Sequence, residues 1–301
     1  MILQETNGIL KTVARTEFKT EKELQTLIEN NLEEIFGCRV VATEFSTGNV
    51  HSGRIDTLAL SEDGNPVIIE YKKVENSNLV TQGLFYLDWL KDHKGDFQVA
   101  VNKRLGNVEI DWSNIRVLCI APSFDRYSLH AVNHMGVGLE LWQYHRYANG
   151  VLELEEIFRG SETKKASKSN SNSGQKAGID ADEIAYTLGK HLSKGNDQAK
   201  SLFAQLDEFI RALNPSIVAV PQKFYVAYKF AKNIACVEIL SKKVKVWTPL
   251  EYRDNMPKFA KDVTNVGHYG TGNLEMSLES QDDLEAVQAL VKEAYLLAGG
   301  D

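Results

Sequence analysis

The chain has 301 residues, 43% hydrophobic and 25% charged, a globular balance that excludes a mainly disordered, collagenous or mucin-like protein. At roughly 100 to 200 residues per domain this length suggests two domains, each able to bury its own core. The net charge of −7 excludes coating of DNA by bulk electrostatics, and residues 1–160, with 16 Lys and Arg against 23 Asp and Glu, carry the acidity. An acidic half suits a nucleic-acid enzyme if some of its carboxylates gather around a cation.

No apolar run approaches the ~20 residues of a membrane-spanning helix, and the start Met1-Ile2-Leu3-Gln4-Glu5 lacks a basic region followed by an apolar one, so the expectation is a soluble, cytoplasmic protein. Cys38, Cys119 and Cys236 are too far apart for a CxxC motif or a disulfide framework and read as inert thiols.

In chain order, Asn7-Gly8 reads as a hairpin turn. Thr20 reads as the N-cap of a helix whose Leu24, Leu27, Ile28, Leu32 and Ile35 run at helical spacing up to Gly37. Strands are expected at 40–45, 54–60 and 67–73, the last two joined by a turn at 61–66, and then a helix over 79–90. Apolar runs at 97–101, 115–121, 139–144 and 151–157 read as further strands with a short helix among them. Residues 161–178, without an aromatic or large aliphatic side chain, read as a flexible linker, and residues 161–180 carry a net charge of +2. Beyond it, helices are expected at 181–192 and 197–213, the second ending before Pro215, then strands at 224–230, 235–240, 244–247 and 274–278 and a closing helix at 281–298. The domains are therefore 1–160, a mixed α/β sheet flanked by helices, and 179–301, an α+β module.

Chemistry concentrates in Gly53-Arg54-Ile55-Asp56 and Ile68-Ile69-Glu70-Tyr71-Lys72. Alternation along a strand turns Glu70 and Lys72 to one side and Ile69 and Tyr71 to the other. If the two strands form a hairpin, Asp56 lies near Glu70, giving two carboxylates for a hard divalent cation with a lysine beside them. Phosphodiester hydrolysis uses those parts, since a cation acidifies water and an ammonium stabilises developing charge.

These residues resemble the PD-(D/E)XK nuclease superfamily: Asp56, thirteen intervening residues, then Glu70-Tyr71-Lys72. Ile55 replaces the proline of the family name, as in the RecB-like and mismatch-endonuclease branches. Those branches carry Gln-x-x-x-Tyr on the next helix, matched here by Gln82 and Tyr86. The resemblance implies a restriction-endonuclease-like fold and a Mg2+- or Mn2+-dependent DNA nuclease in which Asp56 and Glu70 bind metal and Lys72 aids the attacking water. It further implies that an acidic residue of the preceding helix assists, Glu23 with Glu29 as rival, and that Gln82 and Tyr86 position lysine, water or DNA. Glu23 also fits a capping box with Thr20. The alternative is a nuclease-fold protein that binds nucleic acid or a protein without cutting.

DNA is the expected partner, a homodimer is an expectation by analogy, and the C-terminal half resembles a domain of unknown function often found behind such nuclease-like domains. Its aromatic and basic strand 223–229 suggests a recognition surface for DNA or a protein partner. His130 and His134 lack the company of a zinc motif, and Gly267 to Gly272 lacks the strand-to-helix context of a phosphate loop.

Overall fold

The computed structural model describes residues 1–135, 138–160 and 186–301. The chain divides into two compact units at residues 182/183, and the linker expected at 161–178 lies outside the described residues, as does the start of the helix expected at 181–192. Among the described residues, no helix is long and apolar enough to cross a membrane.

The first unit opens with a hairpin, β1 (Leu3–Thr6) and β2 (Ile9–Thr12), turned by Asn7 and Gly8, both at positive φ, the conformation that a two-residue hairpin turn requires. A short strand β3 (Arg15–Thr16) leads to α1 (Glu21–Asn30), where the Thr20 hydroxyl accepts from the Glu23 amide as N-cap. The single helix expected up to Gly37 is broken: Asn31 turns back to the Leu27 and Ile28 carbonyls, and a separate α2 (Leu32–Phe36) follows. Then come β4 (Cys38–Ser46), a one-turn α3 (Gly48–His51), β5 (Arg54–Ser61), β6 (Pro66–Tyr71), α4 (Leu79–Asp92) and α5 (Lys94–Leu105). The unit closes with β7 (Arg116–Ala121), α6 (Arg126–Ala131), β8 (Leu139–Tyr147) and β9 (Leu152–Arg159).

The strand expected at 97–101 is thus part of a helix. Alternation of Phe97, Val99 and Val101 would bury all three, whereas the structure buries Phe97 and Val101, four apart, and leaves Val99 68% exposed. Helical spacing is the period that this segment obeys.

The sheet runs β4-β5-β6-β7-β8-β3, with β9 also on β8; β4, β5 and β6 are antiparallel neighbours, and β6, β7 and β8 run parallel. It is a mixed sheet, with α4 and α5 over one core formed by Leu58, Leu60, Ile68, Val117, Leu87 and Phe97. Both β6 and β7 are buried along their whole length, which explains their uninterrupted apolar runs. Inside the sheet, Arg116 donates to both oxygens of Glu140 at 2.7 and 3.1 Å, and Trp142 Nε1 adds a third donor at 3.1 Å. Burial opposes the Glu140 charge, yet Arg116 and Arg159 hold its carboxyl down at about 2.

The second unit contains α7 (Leu188–Leu192), α8 (Asp197–Leu213), β10 (Val218–Pro221), β11 (Val226–Lys229), β12 (Asn233–Ile239), β13 (Val244–Thr248), β14 (Ala260–Asp262), β15 (Leu274–Leu278) and α9 (Gln281–Leu297). Its strands form one antiparallel sheet in the order β10-β11-β12-β13-β15-β14. The outer strands are short: β10 is an apolar Val-Ala-Val-Pro not among the expected strands, and β14 is only three residues long. Helices α8 and α9 pack on Val226, Val237, Val246 and Met276, and the alternate residues form the other face.

Candidate functional site

Thr57 pairs with Ile69 and Leu58 with Ile68 across β5 and β6, which brings Asp56, at the start of β5, beside Glu70, at the end of β6. Core residues on both strands hold this register, so the two acids occupy fixed places at the end of the hairpin remote from its turn. The Asp56 amide donates to Glu70 Oε1 at 3.1 Å, and the Tyr71 amide donates to Asp56 Oδ2 at 3.1 Å. Each carboxylate is therefore anchored by the main chain of the opposite strand.

Glu70 has no exposed surface, and its Oε2 is buried without a hydrogen-bond partner. Burial, then the neighbouring Asp56 carboxylate, push the Glu70 carboxyl up to about 9. Burial also raises Asp56, against the Tyr71 amide and the Lys72 charge. Lys72 Nζ donates to Glu21 Oε1 and to the Tyr71 carbonyl, each at 2.9 Å. Burial works against its charge, but Glu21, Asp56 and Glu70 more than offset it and hold Lys72 above its ordinary value. Tyr71 points the other way, within 3.3 Å of the Thr57 hydroxyl, in keeping with strand alternation.

Glu23 is not brought to this pair. Its Oε1 accepts from Arg146 Nη1 at 2.6 Å and its Oε2 from the Lys19 amide at 2.9 Å, and Arg146 above all holds the carboxyl below the usual range. The capping bond expected from the Thr20 amide goes to the Lys19 amide instead. The acid of α1 that reaches the site is Glu21, which takes Lys72 on Oε1 and the Lys73 amide on Oε2. Glu29, the rival, accepts from the Thr57 hydroxyl at 2.6 Å, on the Tyr71 side of the strand. Gln25, which the sequence did not single out, donates to the Asp56 carbonyl at 2.7 Å.

Gln82 and Tyr86 lie on α4 and meet each other, Gln82 Nε2 donating to Tyr86 Oη at 3.4 Å, while that same oxygen accepts from the Arg54 amide at 3.1 Å. Gly53 fits beneath the phenol ring, because a Cβ there would stand 2.8 Å from Tyr86 Cε1 and 3.0 Å from Thr47 Oγ1. These two residues thus brace the entry to β5, two positions before Asp56. The rings of His130 and His134 lie 5.7 Å apart. Among the described residues no group of three or more His, Cys, Asp or Glu side chains is placed to hold a metal ion.

The first unit is a mixed α/β layer with a buried Glu70, a half-buried Asp56 and a charged lysine at the end of its central hairpin. The chain belongs to the same family as an "Uncharacterized protein" of Haemophilus influenzae, 33% identical over 294 residues that cover 95% of this chain and 96% of that protein. Residues 188–298 match a domain of unknown function, DUF5655. Among solved structures it is similar to an EndoMS-dsDNA2 complex, 23% identical over 41% of this chain and 44% of that one with a TM-score of 0.31. It is also similar to a repair endonuclease from Pyrococcus abyssi, 21% identical over 43% and 49% with a TM-score of 0.25. The chain spans less than half the length of these solved structures.

Proposed function

We propose that the protein is a metal-dependent nuclease that hydrolyses DNA phosphodiester bonds at Asp56, Glu70 and Lys72. The observation that carries this reading is the pairing of a buried Glu70 with a half-buried Asp56, anchored through the main chain of both strands, with Glu70 Oε2 lacking a hydrogen-bond partner. Two adjacent carboxylates in so desolvated a place repel each other, and an orphaned buried carboxylate oxygen is costly unless something binds it. Both features fit a hard divalent cation, Mg2+ or Mn2+, held by Asp56 and Glu70 with its remaining positions open to water and phosphate oxygens. When bound, the cation supplies an acidified water and neutralises charge on the phosphate.

Lys72 stays protonated, so its role is to offer positive charge and a hydrogen bond to the attacking water or the developing oxyanion, not to accept a proton. Glu21 keeps that ammonium in place. Tyr86 and Gln82 fix the Arg54 amide and, through it, the position of Asp56 on β5.

The test is incubation of the full chain with single- and double-stranded DNA, with and without Mn2+ or Mg2+, alongside Asp56→Asn, Glu70→Gln and Lys72→Met. Cleavage that needs metal and vanishes in the three variants is the expected result. Binding of DNA with no cleavage under any condition would replace this reading with a nuclease-fold binding protein.

A further inference from the structure

The DUF5655-matching unit has a face that its helices do not cover. Across β11, β12, β13 and β15 the row Ala227, Cys236, Trp247 and Glu275 alternates with the row that packs on α8 and α9. The loop between β14 and β15 lies over Trp247 and is tied down at nearly every position. Gly270 is pressed against the indole so closely that a Cβ would stand 2.4 Å from Cε3. Gly272, at a φ of +110°, would place a Cβ 2.3 Å from the Thr248 carbonyl oxygen. His268 stacks over Trp247 at 14° between planes, with Nδ1 2.6 Å from the Val266 carbonyl and Nε2 2.9 Å from the Gly272 carbonyl. Thr271 bonds to Asn233 Nδ2 at 3.1 Å.

A loop held this firmly nevertheless sends Tyr269 outward. Its ring is 58% exposed and stacks on Phe224, centroids 4.0 Å apart at 24°. The ammonium of Lys223 lies 5.4 Å from the Phe224 centroid. One face of the tyrosine is thus backed by a second ring, which itself lies beside a cation, while the tyrosine as a whole stays more than half exposed. An aromatic ring whose orientation is already fixed loses little entropy when a second planar ring is laid on it. Unpaired bases offer an open π-face to such a platform and a phosphate to a neighbouring lysine, whereas bases in a duplex are already stacked on both sides.

We propose that Tyr269, backed by Phe224 with Lys223 beside that second ring, is a stacking platform for an unpaired base of single-stranded DNA. The choice of DNA rests on the nuclease reading of the first unit, and the experiment separates the two. Binding of a fluorescein-labelled oligothymidylate and of a labelled duplex is measured by anisotropy on the full chain in EDTA, so that no cleavage occurs. Tyr269→Ala, Tyr269→Phe and Lys223→Ala are compared with the parent, and thermal unfolding of each variant checks that the fold is intact.

Tyr269→Ala is expected to weaken single-strand binding about tenfold and Tyr269→Phe by less than about twofold, with duplex binding unchanged. Lys223→Ala is expected to reduce the salt slope by roughly one counterion. Unchanged single-strand affinity in Tyr269→Ala, an equal loss on duplex, or no single-strand binding by the parent would overturn the platform and leave a protein partner to explain the exposed ring. A parent that cuts DNA with metal while Tyr269→Ala binds normally refutes the platform alone. A parent that never cuts, but whose Tyr269→Ala loses single-strand binding, refutes the nuclease reading alone.

Discussion

Glu70→Gln isolates the energetic consequence of the buried acid pair. The Glu70 carboxyl titrates at about 9 in the folded chain, against an ordinary 4.5, so between these limits the folded state holds a proton that the unfolded state has released. Its contribution to stability is therefore fully present below pH 4.5 and is lost as pH rises towards 9. The slope is at most about 1.4 kcal/mol per pH unit, or about 4 kcal/mol between pH 5.5 and 8.5, and water entering the site makes this an upper bound. For a folded unit of roughly 150 residues such a loss lowers Tm by up to about 10 °C.

Glutamine reproduces the shape of the protonated acid and cannot ionise. Thermal unfolding in EDTA, recorded from pH 5.5 to 8.5, should show the parent losing stability more steeply than Glu70→Gln, and the difference between the two curves removes every other titrating group. Saturating Mn2+ should flatten the parent curve, because both carboxylates are then ionised and neutralised, and should leave the variant unchanged. Parallel curves in EDTA would show that Glu70 is not held protonated and would refute the electrostatic account of the site.

Three further outcomes are expected. Glu21→Gln should lower metal-dependent cleavage about tenfold by releasing Lys72, whereas Glu23→Gln, whose side chain meets Arg146, should leave the rate within about twofold; the reverse order in a single-turnover assay would restore Glu23 to the site. Tyr86→Phe should cost about 1 kcal/mol in urea unfolding by leaving the Arg54 amide without its acceptor, and Gly53→Ala should reduce activity more than Tyr86→Phe because its Cβ would meet the Tyr86 ring at 2.8 Å. Glu140→Gln breaks a buried pair and strands the Arg116 guanidinium, so a loss of roughly 3–5 kcal/mol by chemical denaturation is expected, and a loss below about 1 kcal/mol would mean that water reaches the pair.

The strands that carry the site were legible because each combines a long apolar run with one or two charged residues that no core would tolerate without a purpose. Asp56, Glu70 and Lys72 stand together as alternation required, and Tyr86 packs at the entry to β5, as a residue four after Gln82 on the same helix face can. Segment 97–101 was misread because three apolar residues at alternate positions satisfy a strand template even when only the first and last, four apart, face the core. The family resemblance pointed to Glu23 as the helix acid, whereas the structure turns that side chain to Arg146; neither the resemblance nor the competing capping pattern Thr20-x-x-Glu23 says which way the helix docks. The signal for Glu21 was present in the spacing: Glu21, Leu24 and Ile28 share one stripe, and the latter two are fully buried, while Glu23 is set about 200° around the helix from Glu21.

Helix α1 ties the site together through a polar row as well as an apolar one. Glu21, Gln25 and Glu29, four residues apart, lie along a single face, and they reach in turn Lys72, the Asp56 carbonyl and the Thr57 hydroxyl. Each contact falls on β5 or on the end of β6, so the row follows the hairpin that bears the carboxylates. Gln25 is itself buried, and its Nε2 donates to the Asp56 carbonyl and to Glu29 while its Oε1 accepts from Lys22, which makes the docking of the helix and the position of Asp56 one geometric condition. Tyr86 imposes a second condition from α4 through the Arg54 amide, two residues earlier on the same strand. Asp56 is thus fixed by two different helices and by the Glu70 strand. That is the rigidity needed to hold two carboxyl groups side by side, since a loosely held pair would turn apart into solvent and lose the desolvation and mutual repulsion that raise Glu70.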